Sequence, residues 1–142
     1  MCMVYYLGTD GDAPLAPAWD KSAPAFYVST VDGPESEHVK KKLPQRCIVY
    51  LGSHEGCGCG FRSYRDGYLM GGDADEKDTA ADHVALAEYL RTLPAKEGSI
   101  QIFGCWSGDE SLAVEHLRDF KASDVLDPSF GFREREILTL KE

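Results

Sequence analysis

The stretch that decides the fold is Cys47-Ile48-Val49-Tyr50-Leu51 followed by Gly52-Ser53-His54-Glu55-Gly56-Cys57-Gly58-Cys59-Gly60-Phe61. Residues 47–51 predict a buried strand, because a short apolar run that ends at glycine is typical of one. The acidic run at 71–78 is typical of a helix start, since carboxylates stabilise the positive end of the helix dipole. We expect a helix over about 76–93, which ends at a proline, and a further strand over 99–103.

This strand-helix-strand order predicts a β-α-β unit. The two strands of such a unit are parallel and usually neighbours, so their carboxyl ends lie at one edge of the sheet. Open α/β sheets bind ligands in the crevice at that edge. We therefore expect one cleft between two groups of side chains: His54, Cys57 and Cys59 on one side, and Cys105, Trp106 and Asp109 on the other.

The rest of the chain supplies further elements of the same domain. Short apolar runs predict strands over 3–7, 25–31 and 136–140, and a polar segment predicts a short helix over about 34–42. Residues 111–120 fit a helix or a strand, and we favour a strand because the tail at 136–140 needs a partner. The prediction is a single α/β or α+β domain over 1–142, with a mixed sheet of five to six strands.

Composition narrows the classes of function. The chain has 142 residues, of which 43% are hydrophobic and 27% charged, as in ordinary globular domains. Its net charge of −9 repels phosphate backbones, so we expect no nucleic-acid partner. It contains no uncharged apolar run of the roughly 18–20 residues that span a bilayer, so we expect no membrane partner.

The five cysteines are odd in number, and the first ten residues lack the basic region of a signal peptide. We therefore expect a cytoplasmic protein whose thiols are reduced. Cys2 and Cys47 lie in or beside predicted strands, and we expect both to be small core residues.

A soft metal ion is the first candidate ligand of the cleft. The four ligands His54, Cys57, Cys59 and Cys105 would complete a tetrahedral zinc shell, with the intervening glycines letting the backbone fold around the ion. The spacing departs from ordinary zinc motifs, because one residue separates the first two cysteines where two to four are usual.

A thiol-dependent enzyme is the second candidate. In that case Cys57, Cys59 or Cys105 acts as the nucleophile or redox thiol, and His54 acts as its base. Glu55 or Asp109 would orient that histidine.

Two further alternatives stay open. The glycine loop could bind a small anion through backbone amides, with contacts from Gly56, Gly58, Gly60, Arg62, Tyr64, Trp106 and Asp109. Alternatively, the cysteines are purely structural and the acidic surface meets a basic protein. The leading hypothesis is a small domain whose Gly/Cys-rich cleft binds a small molecule or a soft metal ion such as zinc.

Overall fold

The computed structural model describes residues 2–15, 20–23, 25–61, 73–94, 99–127 and 130–141. In these ranges the strands are β1 (Met3–Thr9), β2 (Tyr27–Thr30), β3 (Cys47–Gly52), β4 (Ile100–Trp106), β5 (His116–Phe120) and β6 (Glu136–Leu140). The helices are α1 (Glu35–Lys42) and α2 (Asp73–Thr92), and two 3-10 turns cover Gly58–Phe61 and Ala122–Leu126. None of the described helices is long and apolar enough to cross a membrane.

The strands form one open mixed sheet in the order β2-β3-β1-β4-β6-β5. β1 lies between β3 and β4 and is antiparallel to both, with Tyr5 opposite Leu51 on one side and Gly104 on the other. β3 and β4 are therefore parallel, as predicted, but the prediction that they are neighbours is wrong. The physical reason is that β1 hydrogen-bonds along both of them, so the crossover through α2 skips one strand.

The sheet carries a helix on each face. Odd-numbered residues of β1 pack with α2, and even-numbered ones pack with α1, because successive side chains of a strand point to opposite faces. The α2 face holds the larger core, in which Tyr5 and Phe61 meet edge to face at 5.7 Å between ring centres. On the α1 face the helix contributes Val39 and Leu43.

Most predicted elements are present in a single α+β domain. The predicted short helix and the strand at 136–140 are confirmed, and α2 begins three residues before the predicted start. The segment 111–120, for which a strand is favoured over a helix, contains β5. This strand pairs in parallel with β6, which is the tail strand at 136–140. His83, on the apolar side of α2, is buried and contacts the backbone oxygens of Val125 and Phe61, both at 2.9 Å.

Candidate functional site

Three thiols come together where the start of β1 meets the end of β3. The sulfur atoms of Cys2, Cys57 and Cys59 all lie within 4.8 Å of one another. Cys2 immediately precedes β1, and the other two follow β3. Because β1 and β3 are antiparallel, the start of one strand meets the end of the other. The topology thus brings Cys2 to two cysteines that lie 55 and 57 positions further along the chain.

The 3-10 turn at Gly58–Phe61 is packed directly on β1. The Met3 N–H donates to Cys59 Sγ at 3.3 Å, which ties the turn to the strand. A Cβ at Gly58 would lie 2.3 Å from the ring of Tyr5 and 2.8 Å from the carbonyl oxygen of Met3. Since real Cβ atoms do not approach that closely, the lack of a side chain at Gly58 allows the turn to bring its sulfurs to the start of β1.

Ser53 makes hydrogen bonds that hold together the loop between β3 and the 3-10 turn. Its N–H and its Oγ both donate to the carbonyl oxygen of Cys57, at 2.8 and 2.6 Å. The same Oγ accepts from the N–H groups of Gly60 and Glu55, at 2.9 and 3.2 Å. The Gly56 N–H donates to the Ser53 carbonyl oxygen at 3.0 Å. The N–H groups of Gly56 and Gly60, which the anion-binding hypothesis requires, therefore donate within the loop.

His54 fastens the loop to α2 and does not join the sulfur cluster. Its Nδ1 lies 2.5 Å from Asp82 Oδ2, and its backbone N–H donates to Asp82 Oδ1 at 3.1 Å. Its Nε2 lies 3.1 Å from Glu55 Oε1. Burial alone would lower the pKa of His54, but the hydrogen bond and charge of Asp82, with Glu55, outweigh it and raise this pKa. The expected role of His54 as ligand or base to the cysteines has no support in this geometry.

The thiol of Cys57 is held in its protonated form. Its pKa is raised by a hydrogen bond with Cys59, by burial and by a further hydrogen bond with Cys2. No cation of the described residues is among the main influences on this pKa. A nucleophile that rests as a free thiolate needs a lowered thiol pKa, so the arrangement does not favour that form of the thiol-enzyme hypothesis.

Cys105 lies apart from the other site cysteines, which corrects the expected composite cleft. β4 extends to Trp106, so Cys105 lies inside the strand and is buried on the α1 face. Burial, followed by the charges of Glu110 and Asp109, raises its pKa to about 12. Trp106 packs on the opposite, α2 face, and its carbonyl oxygen accepts from the Asp109 N–H at 2.9 Å.

Cys2 replaces Cys105 as the third cysteine of the cluster. The expectation that Cys2 is a core residue is wrong, because it is exposed just outside β1. Cys47 is half-buried and packs against the α2-side core. Arg62 and Tyr64, the predicted residues at the mouth of the loop, lie outside the described residues. Cys2 could be predicted as a member of the cluster only from the pairing of β1 with β3, and no local sequence pattern indicates that pairing.

Comparison of the chain with protein-family models, curated proteins and solved structures gave no match in any of the three.

Proposed function

We propose that the protein binds one zinc ion through the thiolates of Cys2, Cys57 and Cys59. The observation that carries this proposal is the mutual approach of the three sulfurs within 4.8 Å. Zinc–sulfur bonds of about 2.3 Å in tetrahedral geometry place bound sulfurs about 3.8 Å apart. Each sulfur–sulfur distance is therefore at most about 1 Å longer than a bound zinc ion requires.

Binding ionises the three thiols. One Zn²⁺ displaces one proton from each, which leaves three thiolates, a single net negative charge and three protons in solution. Three protein ligands leave the fourth tetrahedral position to water or to a small molecule. Cys2 is exposed, so the ion has a path from solvent to the site.

The raised pKa of Cys57 argues against a free thiolate nucleophile. A divalent cation supplies the positive charge that the described surroundings of this thiol lack, and coordination deprotonates a thiol outright. Because protons compete with the metal, we expect zinc affinity to rise with pH.

The test is metal stoichiometry with matched cysteine variants. Reduced protein purified without chelator should contain one zinc per chain, and Co²⁺ in its place should give sulfur-to-cobalt charge-transfer absorption. Cys2→Ser and Cys57→Ser should each weaken cobalt binding at least about tenfold, because losing a ligand costs no less than losing a residue that only supports one. Cys47→Ser removes a half-buried thiol outside the cluster and should bind like the wild type.

Two outcomes contradict the proposal. One is wild-type protein that binds neither zinc nor cobalt under reducing conditions. The other is a folded Cys57→Ser variant with wild-type cobalt affinity and unchanged charge-transfer absorption.

A further inference from the structure

A cleft of about 560 Å³ opens on the α1 face of the sheet, away from the α2-side core. It lies between the segment after β2, the first turns of α1 and the loop after β4. Its volume is within the range of about 300–1,000 Å³ that is typical of small-molecule sites. The described residues that line it include Tyr6, Asp32, Glu35, Tyr50, Gly108 and Glu110.

A buried carboxylate forms part of the cleft wall. Glu110 is only 6% exposed. Its Oε2 accepts from the hydroxyl of Tyr6 at 2.7 Å, and its Oε1 accepts from the N–H of Gly108 at 2.8 Å. Both donors are neutral, so they fix the carboxylate without cancelling its charge.

No cation of the described chain forms an ion pair with the Glu110 carboxylate. The nearby ammonium of Lys42 donates to the backbone carbonyl oxygen of Glu110 at 2.6 Å and lies 5.6 Å from the ring centre of Phe103. Lys42 does not line the cleft. Since a buried charge is costly unless it is paired, a cation bound in the cleft would stabilise this carboxylate.

The other described residues that line the cleft also favour a cationic ligand. Asp32 and Glu35 add carboxylates, and His38 is the only basic side chain among the described lining residues. The rings of Tyr6 and Tyr50 meet edge to face at 5.8 Å, and aromatic faces attract organic cations. Burial, then the hydrogen bond and charge of Glu110, with a smaller effect of Glu35, raise the pKa of Tyr6, which is consistent with a negative field in the cleft.

We infer that this cleft binds a small organic cation, an ammonium compound whose charge approaches Glu110 and whose apolar part contacts the tyrosine rings. A bare metal ion is disfavoured, because the described carboxylates and histidine here do not converge closely enough to hold one. The inference is independent of the zinc proposal, since the cleft shares no residue with the cysteine cluster.

The experiment compares choline with its neutral isostere 3,3-dimethylbutan-1-ol, by calorimetry and by amide chemical shifts of the full chain. Choline should bind saturably and shift the Gly108 amide, and the neutral alcohol should bind at least about tenfold more weakly. Glu35→Gln should weaken choline binding severalfold, and Glu110→Gln should weaken it at least about tenfold. Glu37→Gln is the matched control, because it lies on the same helix, is exposed and does not line the cleft.

Three results would overturn the inference. They are the absence of saturable choline binding, equal binding of choline and the alcohol, and choline affinity that is unchanged in Glu35→Gln. The last variant keeps the test valid if Glu110→Gln fails to fold, because Glu35 is not buried.

Discussion

Replacing Asp82 by Asn tests how the Gly/Cys loop is attached to α2. The carboxylate of Asp82 is 2% exposed and His54 is 8% exposed, so their interaction is shielded from solvent. Asp82 contacts both the ring and the backbone N–H of His54. Asn preserves the size of the side chain and one acceptor but removes the negative charge.

The expected loss of stability is about 3 kcal/mol. Charge-assisted hydrogen bonds contribute about 1.5–3 kcal/mol each, and breaking a buried ion pair costs about 3–5 kcal/mol. We take the lower end because Asn keeps one acceptor. For a chain of 142 residues, unfolding entropies of about 2.1 cal/mol/K per residue convert each kcal/mol into about 3 °C. Asp82→Asn should therefore melt about 10 °C below the wild type.

The loss should also depend on pH. The folded pKa of His54 is raised, so the stabilisation from its charged form is fully present below its unfolded pKa of about 6.5 and is lost as pH rises through the folded pKa. Without the carboxylate of Asp82, burial pulls this pKa downward. The difference in unfolding free energy between wild type and variant should thus be larger at pH 6 than at pH 9, by about 1.4 kcal/mol per unit of pKa change.

Urea unfolding at both pH values measures this difference, and a proton NMR titration of His54 measures its pKa directly. Glu88→Gln, an exposed change on the same helix, is the control and should change stability by less than about 0.5 kcal/mol. The reasoning is refuted if Asp82→Asn unfolds like the control, or if the His54 pKa is the same in variant and wild type.

Three further changes probe the packing around the site. Gly58→Ala places a Cβ 2.3 Å from the Tyr5 ring, so we expect a loss of about 1–3 kcal/mol in urea unfolding and weaker cobalt binding. Leu86→Ala, at a residue 1% exposed in the α2-side core, should cost about 2–5 kcal/mol, whereas Val84→Ala, at a residue 45% exposed, should cost less than about 0.5 kcal/mol. Burial lowers the pKa of His83, so stability should fall as pH drops below about 6.5, and His83→Gln should reduce that dependence.

Each of these expectations has a clear contrary outcome. Wild-type cobalt affinity in Gly58→Ala would mean that the turn does not need its close approach to β1. Equal losses for Leu86→Ala and Val84→Ala would contradict the assignment of the core. An unchanged pH dependence in His83→Gln would show that another group dominates acid destabilisation.

Local patterns in the sequence were sufficient for most secondary structure. The apolar run at 47–51 and the tail at 136–140 predict strands because a strand's pattern lies within the strand itself. The helix at 35–42 was equally predictable, since Pro34 suits its first turn. Strand order was not predictable in this way, because the insertion of β1 between β3 and β4 depends on pairings between distant residues.

Only part of the site could be predicted, because the rest depends on contacts between residues that are distant in sequence. The alternation of glycine and cysteine predicts a site at Cys57 and Cys59, and the sulfurs of both lie in the cluster with Cys2. A strand over 99–103 would place Cys105 in their cleft, but β4 continues to Trp106 and places Cys105 on the α1 face. Glu110 and Tyr6 are 104 positions apart, so nothing local to either residue indicates their contact or the cleft beside it.

The most direct test of the central claim is X-ray absorption spectroscopy of the zinc-loaded, reduced protein at the zinc edge. We predict three sulfur neighbours at about 2.3 Å and one oxygen or nitrogen neighbour at about 2.0 Å. Cys2→Ser should lower the sulfur count by one, and Cys47→Ser should leave it at three. A first shell of oxygen and nitrogen alone, or a sulfur count that is unchanged in Cys2→Ser, would contradict the proposed zinc site.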